Sequence, residues 1–227
     1  MNSIQKVGGY AALVAGVQYV VILMFVFGML VPYPGLHMDT SRLVDEDKNT
    51  IVAMANSPTP LLIQSLITAL FSITILLVAL ALQEHLQNDA PNQMRIVVIV
   101  ASITSAMGLA SCMIAVTGLP LIAATNDLVA FRILNTVTRG LWSASVFACG
   151  WMIFLCGWAG LSTKKLPLGL SCVLLLAGMF SIQGVFMVIF EPMSLVLNVV
   201  WAFWLGYVLI KPPATLKSYK EGQVLPM

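Results

Sequence analysis

Charge is what this chain has least of. Only 9% of its 227 residues are Asp, Glu, Lys or Arg, against 59% that are hydrophobic. A soluble domain carries about 25% charged residues, and too few are present here to clothe a water-facing surface. The chain therefore reads as an all-α integral membrane protein, and its mean hydropathy of +0.96 agrees.

Other absences narrow the chemistry. The only histidines are His37 and His85, and both fall in connections between apolar runs. The topology derived below puts them on opposite membrane faces, so they cannot share a metal or a haem. No Asp, Glu, Lys or His sits in the middle of an apolar run. That argues against a carboxylate proton relay and against membrane proteases built on paired aspartates or on H-E-x-x-H. The four cysteines, Cys112, Cys149, Cys156 and Cys172, form no C-x-x-C pair and read as small buried hydrophobes rather than a zinc or disulfide framework. The thirteen methionines are scattered, which speaks against a copper path. Hydroxyls occur at Ser65, Thr68, Ser72, Thr74, Ser143 and Ser145, but a nucleophilic serine needs an oriented base, and the spans provide none. The expectation is a protein that is not an enzyme and takes no cofactor and no nucleic acid.

What the sequence has is length of apolar run. Crossing the hydrocarbon takes about 20 residues at about 1.5 Å each. Six runs approach this: about 7–31, 61–82, 96–119, 140–160, 168–190 and 194–210, the last somewhat short. The first is longer than the roughly 7–15 residues of a signal-peptide core and has no A-x-A site after it, so it reads as a retained helix. Residues 1–211 form one compact six-helix domain, and 212–227 a cytoplasmic tail without regular structure. Lys6, Arg95, Lys164, Lys165, Lys211, Lys217 and Lys220 fall on one side, and Arg42, Lys48, Arg132 and Arg139 on the other. By the positive-inside rule both termini are cytoplasmic.

The longest connection lies between helices 1 and 2. After a Pro- and Gly-broken start, Thr40 or Ser41 can cap a short helix with Asp45, Glu46 and Asp47 in its early turns. Leu43, Val44, Ile51 and Met54 or Ala55 recur near helical spacing, which predicts an amphipathic outer helix.

Small residues predict packing in lipid. Ser102, Ala106 and Ala110 recur every four residues in helix 3, beside Ser105, Gly108 and Ser111, which points to helix 3 as the central one. Four amides lie within spans: Gln18, Gln64, Gln183 and Asn198. They either join helices or line a polar cavity. Trp142 and Trp158 suit the two aromatic belts, while Trp151, Trp201 and Trp204 pack together or stack on an apolar ligand. Arg139 comes closest to being a buried charge. Counting back from Gly160 puts it about 31 Å away, at the outer interface. With Arg132, Asn135 and Ser143 it forms a polar stripe at spacings of three and four. Glu191 and Asp127 are its candidate partners, and an anionic head group is its candidate ligand.

The start of helix 5 carries a pattern. Helix 4 ends in CGWMIFLCGWAG, followed by Ser162, a basic turn, Leu166-Pro167, Leu168-Gly169 and later Ala177-Gly178; Gly8-Gly9-Tyr10 opens helix 1. This resembles a family of small bacterial six-helix membrane proteins known only as a domain of unknown function. The acidic stretch from Asp39 to Lys48 and the sparse polar residues of helix 2 depart from that pattern. The resemblance implies the six-helix fold and a bacterial inner-membrane location, and it implies no catalytic residues. Two functional readings follow. The first is an accessory, scaffold or assembly subunit with a protein partner or a second copy of itself. The second is a carrier of an apolar or amphiphilic ligand (lipid, quinone or pigment) through an outward-facing site beside helix 4.

Overall fold

The computed structural model describes residues 3–26, 51–52, 59–125, 127–184 and 191–211. Among them are six long α-helices: α1 (Ser3–Val26), α2 (Thr59–Leu86), α3 (Pro91–Thr125), α4 (Leu128–Thr163), α5 (Leu168–Gly184) and α6 (Glu191–Ile210). All but α5 are long and apolar enough to cross a membrane, and α5 is apolar over the 17 residues described. The protein is a multi-pass helical membrane protein.

Each helix packs on its sequence neighbours, and α6 closes back on α1, so the six form a ring in chain order. A further contact runs across the ring between α2 and α4. Those two are therefore the central helices, and α3, expected at the centre, packs chiefly between them. The small-residue stripe that suggested otherwise faces outward: Ser102, Ala106 and Ala110 are exposed, while Ser105, Gly108 and Ser111 are buried. The two stripes differ by one helical step, and in an apolar helix nothing in the pattern marks which of them turns inward.

The antiparallel pairing of α1 and α6 is close. A Cβ added at Gly9 would come within 3.2 Å of the Gly206 carbonyl oxygen, and one at Gly16 within 3.1 Å of the Phe203 ring. The start of α1 thus lies beside the end of α6, and both ends of the described chain share one face of the bundle, called here the terminal face.

Several helices outrun the hydropathy estimates. α4 begins at Leu128 rather than near 140, because its polar first turns are helical although they are not apolar. Asp127 fixes the start: its Oδ1 accepts from the Val129 and Ala130 amides at 3.1 and 3.0 Å, an N-cap that satisfies two otherwise orphaned donors. Lys164 stops the helix at the other end. It adopts a left-handed conformation (φ 57°), and its amide bonds the Gly160 carbonyl. α6 begins at Glu191, and its 20 residues suffice for a span. Of the predicted outer helix only Ile51 and Val52 lie among the described residues. Both are helical, and Ile51 is buried against Leu61, Ala115, Leu119 and Phe131. The rest of that helix, the end of the first run, residues 185–190 and the 212–227 tail lie outside the described residues.

Candidate functional site

Polar groups in lipid must find partners within the protein, and the bundle interior shows where they go. α1 meets α2 through Gln18 and Thr74, whose hydroxyl lies 3.0 Å from the Gln18 Oε1. α2 meets α3 through Ser105, whose Oγ donates to the Ser72 carbonyl at 2.6 Å, and through Cys112, whose thiol donates to the Ser65 carbonyl at 3.3 Å. α3 meets α4 through Ser145, bonded to the Thr104 carbonyl at 2.8 Å, and Ser111, bonded to the Thr138 carbonyl at 3.0 Å. α5 meets α6 in a cluster. Ser181 and Ser194 share a 2.8 Å hydrogen bond, and Asn198 Nδ2 donates to both hydroxyls at 3.2 Å. The Trp201 Nε1–H donates to Asn198 Oδ1 at 2.6 Å.

Gln18, Thr74, Ser105, Ser145, Ser181 and Asn198 all lie about 18–27 Å along their helices from the terminal face, so they form one belt at mid-depth. Aromatic rings fill the space inside it. Tyr19 packs edge-on to Trp201 (6.2 Å between centroids) and to Phe71 (5.0 Å), and Phe71 packs in turn on Trp142 (6.4 Å). The chain of rings runs from α6 through α1 and α2 to α4. Offset edge-to-face pairs of this kind add about 0.5–1.5 kcal/mol each beyond the area they bury. Tyr19 also lies against the Cys149 thiol of α4. At the α4–α5 and α1–α6 seams the helices approach by backbone. At the α4–α5 seam a Cβ added at Gly178 would come within 2.5 Å of the Phe154 amide nitrogen and 2.7 Å of the Gly150 carbonyl oxygen.

Of the four amides singled out from sequence, Gln18 and Asn198 are buried and join helices. Gln64 and Gln183 are exposed on the bundle surface, and Gln64 makes a polar contact there. Thr74, the partner of Gln18, and Ser181, Ser194 and Trp201, the partners of Asn198, were not legible as partners, because a hydroxyl or an indole on an apolar helix shows no direction in sequence. The tryptophans separate: Trp201 is buried in the ring chain, whereas Trp151 and Trp204 are exposed. Trp151 packs instead edge-on against Phe154 of its own helix, which leads to Trp158 (5.9 and 6.5 Å between centroids).

The residues of the expected stripe lie along α4. Arg139 and Ser143 are exposed and Arg132 and Asn135 half-buried along α4, with Gly140 facing open space between them. Asp127 caps the helix, and Arg132 makes an interaction of its own. The Glu191 side chain, and with it the expected Arg139–Glu191 pair, lies outside what is described. Apolar side chains share this part of the hairpin: Leu121, Val129, Ile133 and Val137 are all exposed.

At the terminal face a second polar group gathers. Gln5 Nε2 lies 2.7 Å from His85 Nδ1, joining α1 to α2. Asp89, in the turn before α3, forms an ion pair with Lys165 in the turn before α5. Three of the four cysteines are buried and Cys172 is exposed. Among the described residues no three His, Cys, Asp or Glu side chains come together as a metal site. No family model, no curated protein and no solved structure matches this chain.

Proposed function

We propose that the protein is a non-enzymatic accessory or assembly subunit of the membrane, with both termini in the cytoplasm, and that it binds a protein partner through the outer end of the α3–α4 hairpin. One observation carries this reading. α4 is 36 residues long, about 54 Å, against a hydrocarbon core of about 30 Å. Lys164 and Lys165 anchor its terminal end at the interface, so the excess of about 24 Å stands at the other side. There the hairpin exposes Leu121, Val129, Ile133 and Val137. Exposed apolar side chains grouped among Arg132, Asn135 and Arg139, on a helix longer than the core is thick, support a surface that another molecule covers. The packed ring chain and the hydrogen-bonded belt support the same reading, since they use the interior for cohesion.

The test places a photo-crosslinking residue at Ile133 in the full chain, in native membranes. The expected result is one protein adduct of discrete mass. An adduct to lipid alone, or only within the chain to residues 40–55, would overturn it. Labelling of single cysteines near Lys6 and Lys211 from the cytoplasmic side tests the orientation. The second reading, a ligand site beside α4, draws on the open space at Gly140 between Arg139 and Ser143. A small molecule retained through purification and lost in Gly140→Trp would favour it over the first.

A further inference from the structure

The last turn of α2 carries the one histidine among the described residues, His85. Leu82 and Leu86 are fully buried around it. They hold the turn against the bundle and leave the ring half-buried at the terminal face. Because α2 is a central helix, its end is reached from both sides. From α1, Gln5 Nε2 comes within 2.7 Å of His85 Nδ1. From the turn after α4, directly beyond the left-handed Lys164, the Lys165 backbone hydrogen-bonds the ring, and the Lys165 ammonium lies near it. Lys165 also pairs with Asp89, whose carboxylate bears on the ring as well. One imidazole thus stands where α1, α2, the α2–α3 turn and the α4–α5 turn meet. Lys6 beside Gln5 and Glu84 beside His85 complete the charged groups of these two helix ends.

The arrangement fits a neutral ring. An Nδ1 that accepts from the Gln5 amide leaves the ring proton on Nε2. Burial acts against a charge on the ring, the Lys165 ammonium adds to that, and Asp89 offsets part of it. An imidazolium carries a proton on both nitrogens. Nδ1 can then no longer accept, so the Gln5 amide must turn over or let go. The new charge also repels Lys165 and competes with it for Asp89. One proton therefore weakens two contacts that cross between elements.

We propose that His85 is an acid-operated latch of the terminal face. Neutral, it ties α1 to α2 and leaves Lys165 with Asp89. Protonated, it frees the start of α1 and loosens the α4–α5 turn. The closed face disfavours the imidazolium, so a proton binds more tightly once the latch opens. The latch holds above the ordinary histidine range, about pH 6.5, and gives way as the pH falls below it. It lies at the other end of the bundle from the outer hairpin, so it stands or falls separately from the accessory-subunit reading.

The test uses the full-length protein in lipid nanodiscs, with Cys172→Ser to remove the exposed thiol and nitroxides on Lys6→Cys and Leu168→Cys. Pulsed electron spin resonance reads the distance from α1 to the start of α5 between about pH 8 and about pH 5. The expected result is one narrow distribution at the alkaline end and a longer, broader one at the acid end. His85→Gln keeps an amide for Gln5 and takes no proton, so it should stay narrow throughout. Asp89→Asn should move the midpoint to lower pH, and Lys165→Met to higher pH. His37→Gln should leave it unmoved. Thermal unfolding at neutral pH checks that each variant is folded, and the opposed shifts at Asp89 and Lys165 decide the matter if His85→Gln is not. An unchanged distance across the range would overturn the assignment. So would the same transition in folded His85→Gln, its loss in His37→Gln, or shifts of one sign at Asp89 and Lys165.

Discussion

The α4–α5 seam and the α5–α6 seam share one helix and are held in opposite ways. Along α4, α5 lies backbone to backbone, with Gly150 and Gly178 leaving no room for a side chain between them. Along α6, the same helix is held by Ser181, Ser194, Asn198 and Trp201 in a closed hydrogen-bonded cluster. Lipid supplies no hydrophobic drive between helices, so association rests on close packing or on polar links. The protein uses one of these at each seam of α5. The glycine seam depends on shape and fails abruptly when volume is added. The polar seam depends on mutual satisfaction, so removing one member is partly repaired by the others.

Substitutions that break the comparison differ in size. Gly178→Ala should be the most severe, because the added carbon meets backbone, which cannot swing aside. A loss of about 3 kcal/mol is expected, measured as unfolding in mixed detergent or as a fall in melting temperature. Asn198→Leu should cost less, about 1–2 kcal/mol. Ser181 and Ser194 keep their own hydrogen bond, while the Trp201 N–H loses its acceptor. A loss larger than that of Gly178→Ala would reverse the ranking of the two seams. Gly140→Ala sharpens the contrast from the other side. Nothing lies within 4 Å of a Cβ there, so the change should stabilise α4 by about 0.5–1 kcal/mol through helix propensity. A destabilising outcome would mean the space at Gly140 is occupied. Arg139→Ala should be smallest, within about 0.5 kcal/mol, since Arg139 is exposed. A larger drop in melting temperature would identify the outer stripe as part of the packing.

The helices themselves were readable, because hydropathy measures the one property that lipid selects. All six runs expected from sequence begin or lie within helices of the structure. Their ends were less readable. Leu128 to Arg139 mixes Arg132, Asn135 and Thr136 with Val129, Ile133 and Val137, and an apolar window does not extend a helix through so mixed a stretch. Facing was least readable of all. In water a buried face differs from a wet one in polarity. In a bilayer both are apolar, so Ser102-Ala106-Ala110 and Ser105-Gly108-Ser111 look alike until neighbours are placed. Gln18 and Asn198 stood out as amides that need partners, but Thr74 and Trp201 became identifiable as those partners only from the packing.

The ring in chain order has a consequence for biogenesis. Every seam around the ring but one joins helices adjacent in sequence, so each new helix can dock on its predecessor as it leaves the ribosome. Only the α1–α6 seam must wait, and until α6 arrives the glycine edge of α1 at Gly9 and Gly16 stands open. Contacts between distant chain positions form late and slowly. The last step of assembly is then a single closure, and a chain arrested before α6 exposes an edge that quality-control proteases of the membrane can recognise.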